Sequence, residues 1–278
     1  MRGILLRRNR VVATFCGNTV LHPMGTRLKT LRLTMLVVFA LPIAARAGLY
    51  AVADHPRSWR DANWSTTGLL PPAADDPPAR VLVFAARAGG WRSIFAVHTW
   101  IVVKPANAAS YTRYDVMGFG QPVRVNLHAP DAFWFSGAPR LVADIRGDDA
   151  ARAIPAIQAA VKSYPYADYG SYRVWPGPNS NTFTATVLRA APELAVAMPP
   201  EAVGRDFRVD GSLVGATASQ TGFEVSVYGL IGAKLGWVEG VEVDFLGLVA
   251  GLDLRHPALK IPGFGRLGLD GVAAASAR

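Results

Sequence analysis

Two residues of this chain, His98 and Ser180, could together perform nucleophilic chemistry. His98 stands in an apolar segment, where an imidazole is costly unless it is hydrogen-bonded and acts as a general base only within reach of the proton it takes. Ser180 follows a proline- and glycine-rich approach, residues 175–178, and would begin a helix whose free N–H groups favour anionic charge. A histidine that activates a serine is the chemistry that these residue types allow.

Each of the two residues also has a purely structural interpretation. His98 could be a buried histidine that neighbouring backbone or side-chain groups satisfy. Ser180 lies beside Asn179, Asn181 and Thr182, and serine and asparagine are preferred at the start of a helix. Taken singly, each residue fits the structural interpretation better, and only the pair favours an active site.

A third residue would have to orient the histidine ring, and the segment 111–115 offers two choices. Asp115 could hold the ring, and Tyr114 could donate a hydrogen bond. Which of them faces the histidine depends on strand register, because a slip of one residue exchanges the two faces. We expect Asp115. Asn179 and Asn181 could supply oxyanion donors, although turn and cap formation explains both of them as well.

The elements that must position these residues begin with strands. Residues 81–86 and 94–103 are short apolar segments of strand length. Residues 111–116 and 123–127 alternate as half-exposed antiparallel strands do, with turn residues between them. These four segments predict a small antiparallel sheet.

Two helices and more strands are predicted further along the chain. Aspartates and apolar residues at helical spacing predict a helix over residues 149–163, and a second helix should run from Asn179 or Ser180 to about Arg189. Residues 223–228 alternate again, and residues 241–254 form a glycine-interrupted apolar stretch. The pattern predicts an α+β fold with a β-rich C-terminal extension from about residue 221.

The order of these features resembles the circularly permuted papain-like fold of the lecithin retinol acyltransferase-like and NlpC-like hydrolases. In that group the helix opens with Asn-Cys-x-x-Phe, and residues 179–183 of this chain read Asn-Ser-Asn-Thr-Phe. The resemblance implies a nucleophile at Ser180 and a base at His98. Because a hydroxyl ionises far less readily than a thiol, Ser180 would need stronger activation or would be an inactive remnant.

Nearly everything after the leader, residues 1–47, resembles a bacterial family known as domain of unknown function 3750. The name implies no activity. The resembling segments are Gly68-Leu69-Leu70-Pro71, Val97-His98-Thr99-Trp100, Tyr111-Thr112-Arg113-Tyr114, Tyr164-Pro165-Tyr166, residues 175–183 and residues 257–266.

The N-terminal residues 1–47 have the composition of a targeting segment. They hold eight of the 29 Lys and Arg residues and no acidic residue, so the remaining 21 cations face 20 anions. No basic face is left for nucleic acid, and we expect no nucleic-acid partner. Residues 33–45 carry no charge, and Ala45-Arg46-Ala47 fits a signal-peptidase site. A cleaved signal and a retained membrane anchor both remain open, and the second implies membrane association.

Residues 48–78 are expected to form an extended connector, and residues 79–278 a single α+β domain. The only cysteine, Cys16, lies in the leader, so a chain without the leader would use no thiol chemistry. His128 and His256 have no second ligand at metal-binding spacing, and we expect neither a metal nor a cofactor.

The expected location is the periplasm or the periplasmic side of the inner membrane. The first functional hypothesis is a serine-variant hydrolase or acyltransferase for an amide or ester of the envelope. In it Ser180 attacks, His98 is the base, and Asp115 or Tyr114 orients the base. The alternative is a catalytically inactive envelope protein that binds or scaffolds.

Overall fold

A computed structural model describes residues 24–268 of the chain. Residues 1–23 of the expected leader, Cys16 among them, lie outside the described residues. The same holds for residues 269–278 of the expected domain.

The first sheet has five antiparallel strands: β1 (Arg80–Arg87), β2 (Val97–Lys104), β3 (Thr112–Val116), β4 (Val123–Val125) and β5 (Arg140–Arg146). Their spatial order is β4-β3-β2-β1-β5, so β2, the strand of His98, is the central one. All of β2 and nearly all of β1 are buried, because mostly apolar side chains fill both faces of these strands.

Two helices cover one face of this sheet: α3 (Asp148–Lys162) and α4 (Ser180–Arg189). Each turns its apolar residues toward the same core, in which Ile157 of α3 and Phe183 of α4 meet Val97 and Ile101 of β2. Residues 97, 99 and 101 therefore point toward the helices. Because side chains alternate along a strand, His98 points to the opposite face.

Aromatic side chains and the segment before β1 cover the opposite face. Trp100 and Trp134 are buried there with Leu82 and Phe84, and Trp64 packs against them. The segment 54–78 contains one short 3-10 turn (Ala73–Asp75) and is tied to the domain by side-chain hydrogen bonds to Asp131. This segment is thus a packed layer of the fold.

The second sheet is a seven-stranded antiparallel meander in which each strand pairs with the next in sequence, in the order β12-β11-β10-β9-β8-β7-β6. Its strands are β6 (Val214–Ala216), β7 (Gly222–Val227), β8 (Ile231–Gly236), β9 (Gly240–Phe245), β10 (Leu248–Asp253), β11 (Ala258–Ile261) and β12 (Gly265–Gly268). A connecting segment, residues 195–213, runs between the two sheets and hydrogen-bonds to both.

The inner face of the second sheet is charged. Glu242 pairs with Lys260, at 2.5 Å, and with Arg205 of the connecting segment. Glu224 pairs with Arg208 at 2.5 Å and with Lys234 at 3.2 Å. All of these acids are buried, and burying a carboxylate without such partners would be strongly unfavourable.

A long N-terminal helix precedes both sheets. It consists of α1 (Met24–Met35), a π-helical turn (Leu36–Ala40) and α2 (Leu41–Val52). Its residues Arg27–Val52 are long and apolar enough to cross a membrane, a property that signal sequences share. Phe39 is buried against the ring of Phe245 in β9, with 5.6 Å between the centroids, so the helix packs on the second sheet.

The predicted α+β class with a β-rich C-terminal region is confirmed. The predicted second helix begins at Ser180 and ends at Arg189, and the first spans Asp148–Lys162 without a break at Pro155. Residues 94–96 do not belong to β2, because Ile94 ends a 3-10 turn (Gly90–Ile94) and residues 95–96 lie between this turn and the strand. The stretch 241–254 is a hairpin, β9 and β10, rather than one continuous element.

Candidate functional site

Ser180 is the first residue of α4, and the residues beside it make the cap. The side chain of Asn179 accepts hydrogen bonds from the backbone N–H groups of Asn181, at 2.9 Å, and Thr182, at 3.2 Å. The Thr182 hydroxyl accepts in turn from the backbone N–H of Asn179, which completes a capping box. Gly204 lies so close to Asn179 that any side chain there would clash with the amide.

Asn181 joins the start of α4 to the central strand and to the connecting segment. Its amide nitrogen donates to the carbonyls of Val97, at 2.9 Å, and Val203, at 2.8 Å. Its amide oxygen accepts from the Thr99 hydroxyl at 2.9 Å. The nitrogen and the oxygen of the Asn181 side-chain amide are therefore both occupied by structural hydrogen bonds.

His98 lies on the other face of β2, among aromatic side chains. Its ring stacks on Trp134 with 3.5 Å between the centroids and 3° between the planes. Only 6% of the residue is exposed. The Nε2 atom is 3.9 Å from Oδ2 of Asp115, which is ion-pair range but longer than a hydrogen bond.

A buried arginine holds the Asp115 carboxylate. Arg113 donates to Oδ2 of Asp115 from Nη2 at 2.7 Å and from Nε at 3.0 Å, and its guanidinium lies 4.1 Å from the ring centroid of Trp100. Burial alone would raise the pKa of Asp115, but the adjacent His98 and Arg113 lower it below its ordinary value. The carboxylate is thus charged at neutral pH.

The histidine beside it is neutral. Burial lowers the pKa of His98 below its ordinary value, and the attraction of Asp115 offsets this only in part. A neutral imidazole can accept a proton, which is the property a general base requires. The ring therefore has suitable electrostatics for a base and little exposed surface.

Three polar atoms of this region have no hydrogen-bond partner among residues 24–268: Nε2 of His98, Oδ1 of Asp115 and Nε2 of His128. The His128 ring stacks on Trp64, with 4.9 Å between centroids, and lies 6.0 Å from the ring of Trp134. Burial, and then Arg113, lower the pKa of His128 as well. We call His98, Arg113, Asp115, His128, Trp64, Trp100 and Trp134 the histidine–tryptophan cluster. Its free polar atoms could hydrogen-bond a small polar molecule.

The structure separates the two residues expected to react. Within residues 24–268, no hydrogen bond or ring contact joins Ser180 to His98. Ser180 begins the helix that packs on one face of the first sheet, whereas His98 points to the other face. The contact between hydroxyl and imidazole therefore stays a prediction, which the direction of the His98 side chain does not favour.

The other expected site residues divide between the two faces. Asp115 lies near His98, whereas Tyr114 packs with the core under the helices, because register pairs Ile101 with Tyr114. Asn179 and Asn181 serve the cap and the connecting segment, so neither side chain is free to bind an oxyanion.

Sequence reasoning overlooked several members of the histidine–tryptophan cluster. Arg113 could have been found, because residues two apart on a strand share a face and Arg113 stands two before Asp115. His128 and Trp134 could not, because they lie in an irregular segment whose packing has no periodic signal. In the described part of the chain, no group of three or more His, Cys, Asp or Glu side chains is arranged to hold a metal.

Two buried acids, Asp206 and Asp244, lie at the charged inner face of the second sheet. Burial, and then the nearby Asp206, raise the pKa of Asp244 to about 8, and no group in the described part of the chain hydrogen-bonds to its Oδ2 atom. Lys234 and Arg205 overcome the opposing effect of burial on Asp206 and lower its pKa to about 2. The two carboxyls thus titrate far apart, Asp206 as the anion and Asp244 as the acid at neutral pH.

Asp244→Asn is expected to stabilise the protein increasingly as the pH rises from about 4 to about 8. The folded chain keeps the Asp244 proton up to about pH 8, whereas the unfolded chain releases it above its ordinary pKa of 3.8, so wild-type stability falls across this window. The Asn amide oxygen still accepts from the Gly247 N–H and carries no charge. Thermal unfolding at several pH values checks this, and a difference that does not change with pH would contradict it.

Residues 78–207 match a protein family described as "Protein of unknown function (DUF3750)". The matched residues cover the first sheet, both helices on it and about two thirds of the connecting segment. The resemblance found in the sequence is thus supported for this part of the chain. No curated protein and no solved structure matches the chain.

Proposed function

We propose that this chain is a membrane-anchored protein of the bacterial cell envelope that acts by binding or scaffolding. The proposal is supported by the stacking of His98 on Trp134, on the face of the first sheet away from α4, and by the lack of a hydrogen bond between Ser180 and His98 among residues 24–268. A serine hydroxyl needs a base within hydrogen-bond reach to become a nucleophile. In this proposal Ser180 begins a helix and does no chemistry.

Anchoring by the N-terminal helix is supported by its contacts. Phe39 is buried against Phe245, and Arg46 lies over the ring of Phe264 at 5.6 Å. The possible cleavage site, Ala45-Arg46-Ala47, lies inside the continuous helix α2, and a protease would have to unwind it. Because cationic residues precede the apolar stretch and stay on the cytoplasmic side, the folded domain faces the periplasm.

The histidine–tryptophan cluster is the binding site in this proposal. Its buried free polar atoms are on His98, Asp115 and His128, and aromatic rings surround them. A small envelope molecule that presents one or two hydrogen-bond donors and a flat apolar surface matches this lining.

A second candidate is the serine-variant hydrolase or acyltransferase of papain-like type. It is favoured by the charged Asp115 beside a neutral His98, a pair that suits a general base, and by the Asn-Ser-x-x-Phe frame of α4. It requires a rearrangement that brings the imidazole to the serine.

Labelling with a serine-reactive fluorophosphonate separates the two candidates. Wild type and Ser180→Ala are each incubated with the probe, with Thr186→Ala on the same helix as the matched control. We expect no labelling of any of the three, because no base among the described residues contacts the Ser180 hydroxyl. Labelling of wild type and the control that disappears in Ser180→Ala would refute the binding proposal and favour the hydrolase.

A further inference from the structure

The outer face of the second sheet is made of apolar side chains alone. In strand order they are Val214, Ala216, Phe223, Val225, Val227, Ile231, Ala233, Leu235, Val241, Val243, Phe245, Leu248, Ala250, Leu252, Leu259, Ile261 and Leu267. Many of them are exposed, including Phe223 at 75% and Leu235 at 62%. We call this surface the apolar sheet face.

The sheet is inverted relative to that of a soluble protein. An antiparallel sheet of a soluble domain packs its apolar side on the core and turns its polar side to water. Here the glutamates and lysines are packed inside as ion pairs, such as Glu242 with Lys260, and the valines and leucines face outward. An exposed apolar patch of this extent marks an interaction with a partner or a membrane.

The N-terminal helix indicates that a membrane covers the apolar sheet face. Phe39 contacts Phe245, whose side chain belongs to the apolar sheet face. On the helix, Leu33, Leu36, Val37 and Leu41 are exposed as well, so the apolar surfaces of helix and sheet are continuous.

The depth at which the helix would place the second sheet in a bilayer also supports a membrane as the partner. The span Arg27–Val52 has 26 residues, or about 39 Å of helix at 1.5 Å per residue, and Phe39 lies near its middle. If this helix crosses a bilayer, Phe245 lies near the centre of the hydrocarbon layer. The strands beside Phe245 then lie at hydrocarbon depth too, where apolar side chains are required.

The ends of the strands carry exposed aromatic residues. Tyr228, in the turn between β7 and β8, and Trp237, in the turn between β8 and β9, are each 60% exposed. The first turn lies beside Phe245, because the register pairs Ile231 with Phe245, and the second turn lies at the far end of β8. Tryptophan is enriched where a membrane protein passes from the hydrocarbon layer to the headgroups, and Trp237, one strand length away from Phe245, fits that boundary.

We infer that the apolar sheet face contacts the lipid acyl chains of the membrane that the N-terminal helix enters. The inference rests on the anchored state proposed above. The second sheet is then a membrane-embedded platform whose charged inner face is screened from lipid by the sheet itself.

Single-cysteine fluorophores on the full chain test this in phosphatidylethanolamine and phosphatidylglycerol vesicles. Cys16→Ser provides the background, and an environment-sensitive dye is attached at Val243→Cys or Leu252→Cys on the apolar sheet face. The control is Val125→Cys, a similarly exposed valine of the first sheet. Acyl-chain nitroxides should quench the dye at positions 243 and 252 several-fold more than at 125. Iodide, which stays in the water, should quench the dye at position 125 more than at 243 and 252.

A dye at Val37→Cys, on the exposed side of the helix, separates the possible failures. Lipid quenching at 37 with iodide quenching at 243 and 252 would overturn the inference and leave the anchor intact. Iodide quenching at 37 would refute the anchor and the inference together. Protection of 243 and 252 from both quenchers, with energy transfer between labelled copies, would assign the face to a second copy of the chain and overturn the inference. Circular dichroism verifies that each variant is folded.

Discussion

Arg113→Met is expected to lower the free energy of unfolding by about 3–5 kcal/mol, because it leaves a buried carboxylate without its cation. Arg113 is 0% exposed, and two of its nitrogens donate to Asp115. A third donates to the carbonyl of Ala129 at 2.9 Å, which ties the loop of the histidine–tryptophan cluster to the sheet. Methionine fills similar space but supplies no charge and no donor. Urea unfolding followed by tryptophan fluorescence measures the change.

The double variant Arg113→Met, Asp115→Leu is the control for this experiment. If an uncompensated charge causes the loss, removing the carboxylate as well should restore much of the stability. A double variant that is as unstable as Arg113→Met would show that the packing of the guanidinium on Trp100 matters more than its charge.

Asn181→Leu is expected to cost about 2–4 kcal/mol of unfolding free energy, since each buried polar group left unpaired costs about 1–3 kcal/mol. The substitution removes the hydrogen bonds to the carbonyls of Val97 and Val203 and to the Thr99 hydroxyl, all at 2.8–2.9 Å. Leucine keeps the branched shape of asparagine, but its methyl groups are larger than the amide atoms, so crowding adds to the loss of the hydrogen bonds. Urea unfolding measures it.

The neighbouring Ser180→Ala is the matched control. No hydrogen bond of the Ser180 side chain exists within residues 24–268, so this change should alter stability by about 0.5 kcal/mol or less. An equal loss in both variants would mean that the start of α4 is sensitive to any substitution, and the role assigned to Asn181 would then fail.

The elements that follow from local chemistry could be predicted. The start of α4 was foreseen because Asn179 and Thr182 are cap residues followed by apolar residues at helical spacing. Strands β1 and β2 follow from runs of apolar residues. The short strand β5 was missed, since Arg140, Asp144 and Arg146 interrupt its apolar pattern.

The arrangement of the candidate site could not be predicted in the same way. The pattern around His98 identifies a strand, but both faces of that strand are buried, so alternation does not reveal which face α4 covers. Long-range contacts, such as that of Phe183 with Ile101, determine which face of β2 the helix covers. The same ambiguity conceals the inverted second sheet, where glutamates at alternate positions look like a solvated face.

The boundary of the family similarity at residue 207 falls inside a network of buried charges. Arg205 and Asp206 lie just before it, and their partners Glu242 and Lys234 lie beyond it in β9 and β8. A protein truncated at that boundary would lose these partners together with the sheet that buries both residues, and only the pair of Arg205 with Asp206, at 3.5 Å, would remain. Any minimal fragment prepared for binding studies must therefore extend through β9. The family similarity ends at residue 207, whereas the network of buried ion pairs continues into β8 and β9.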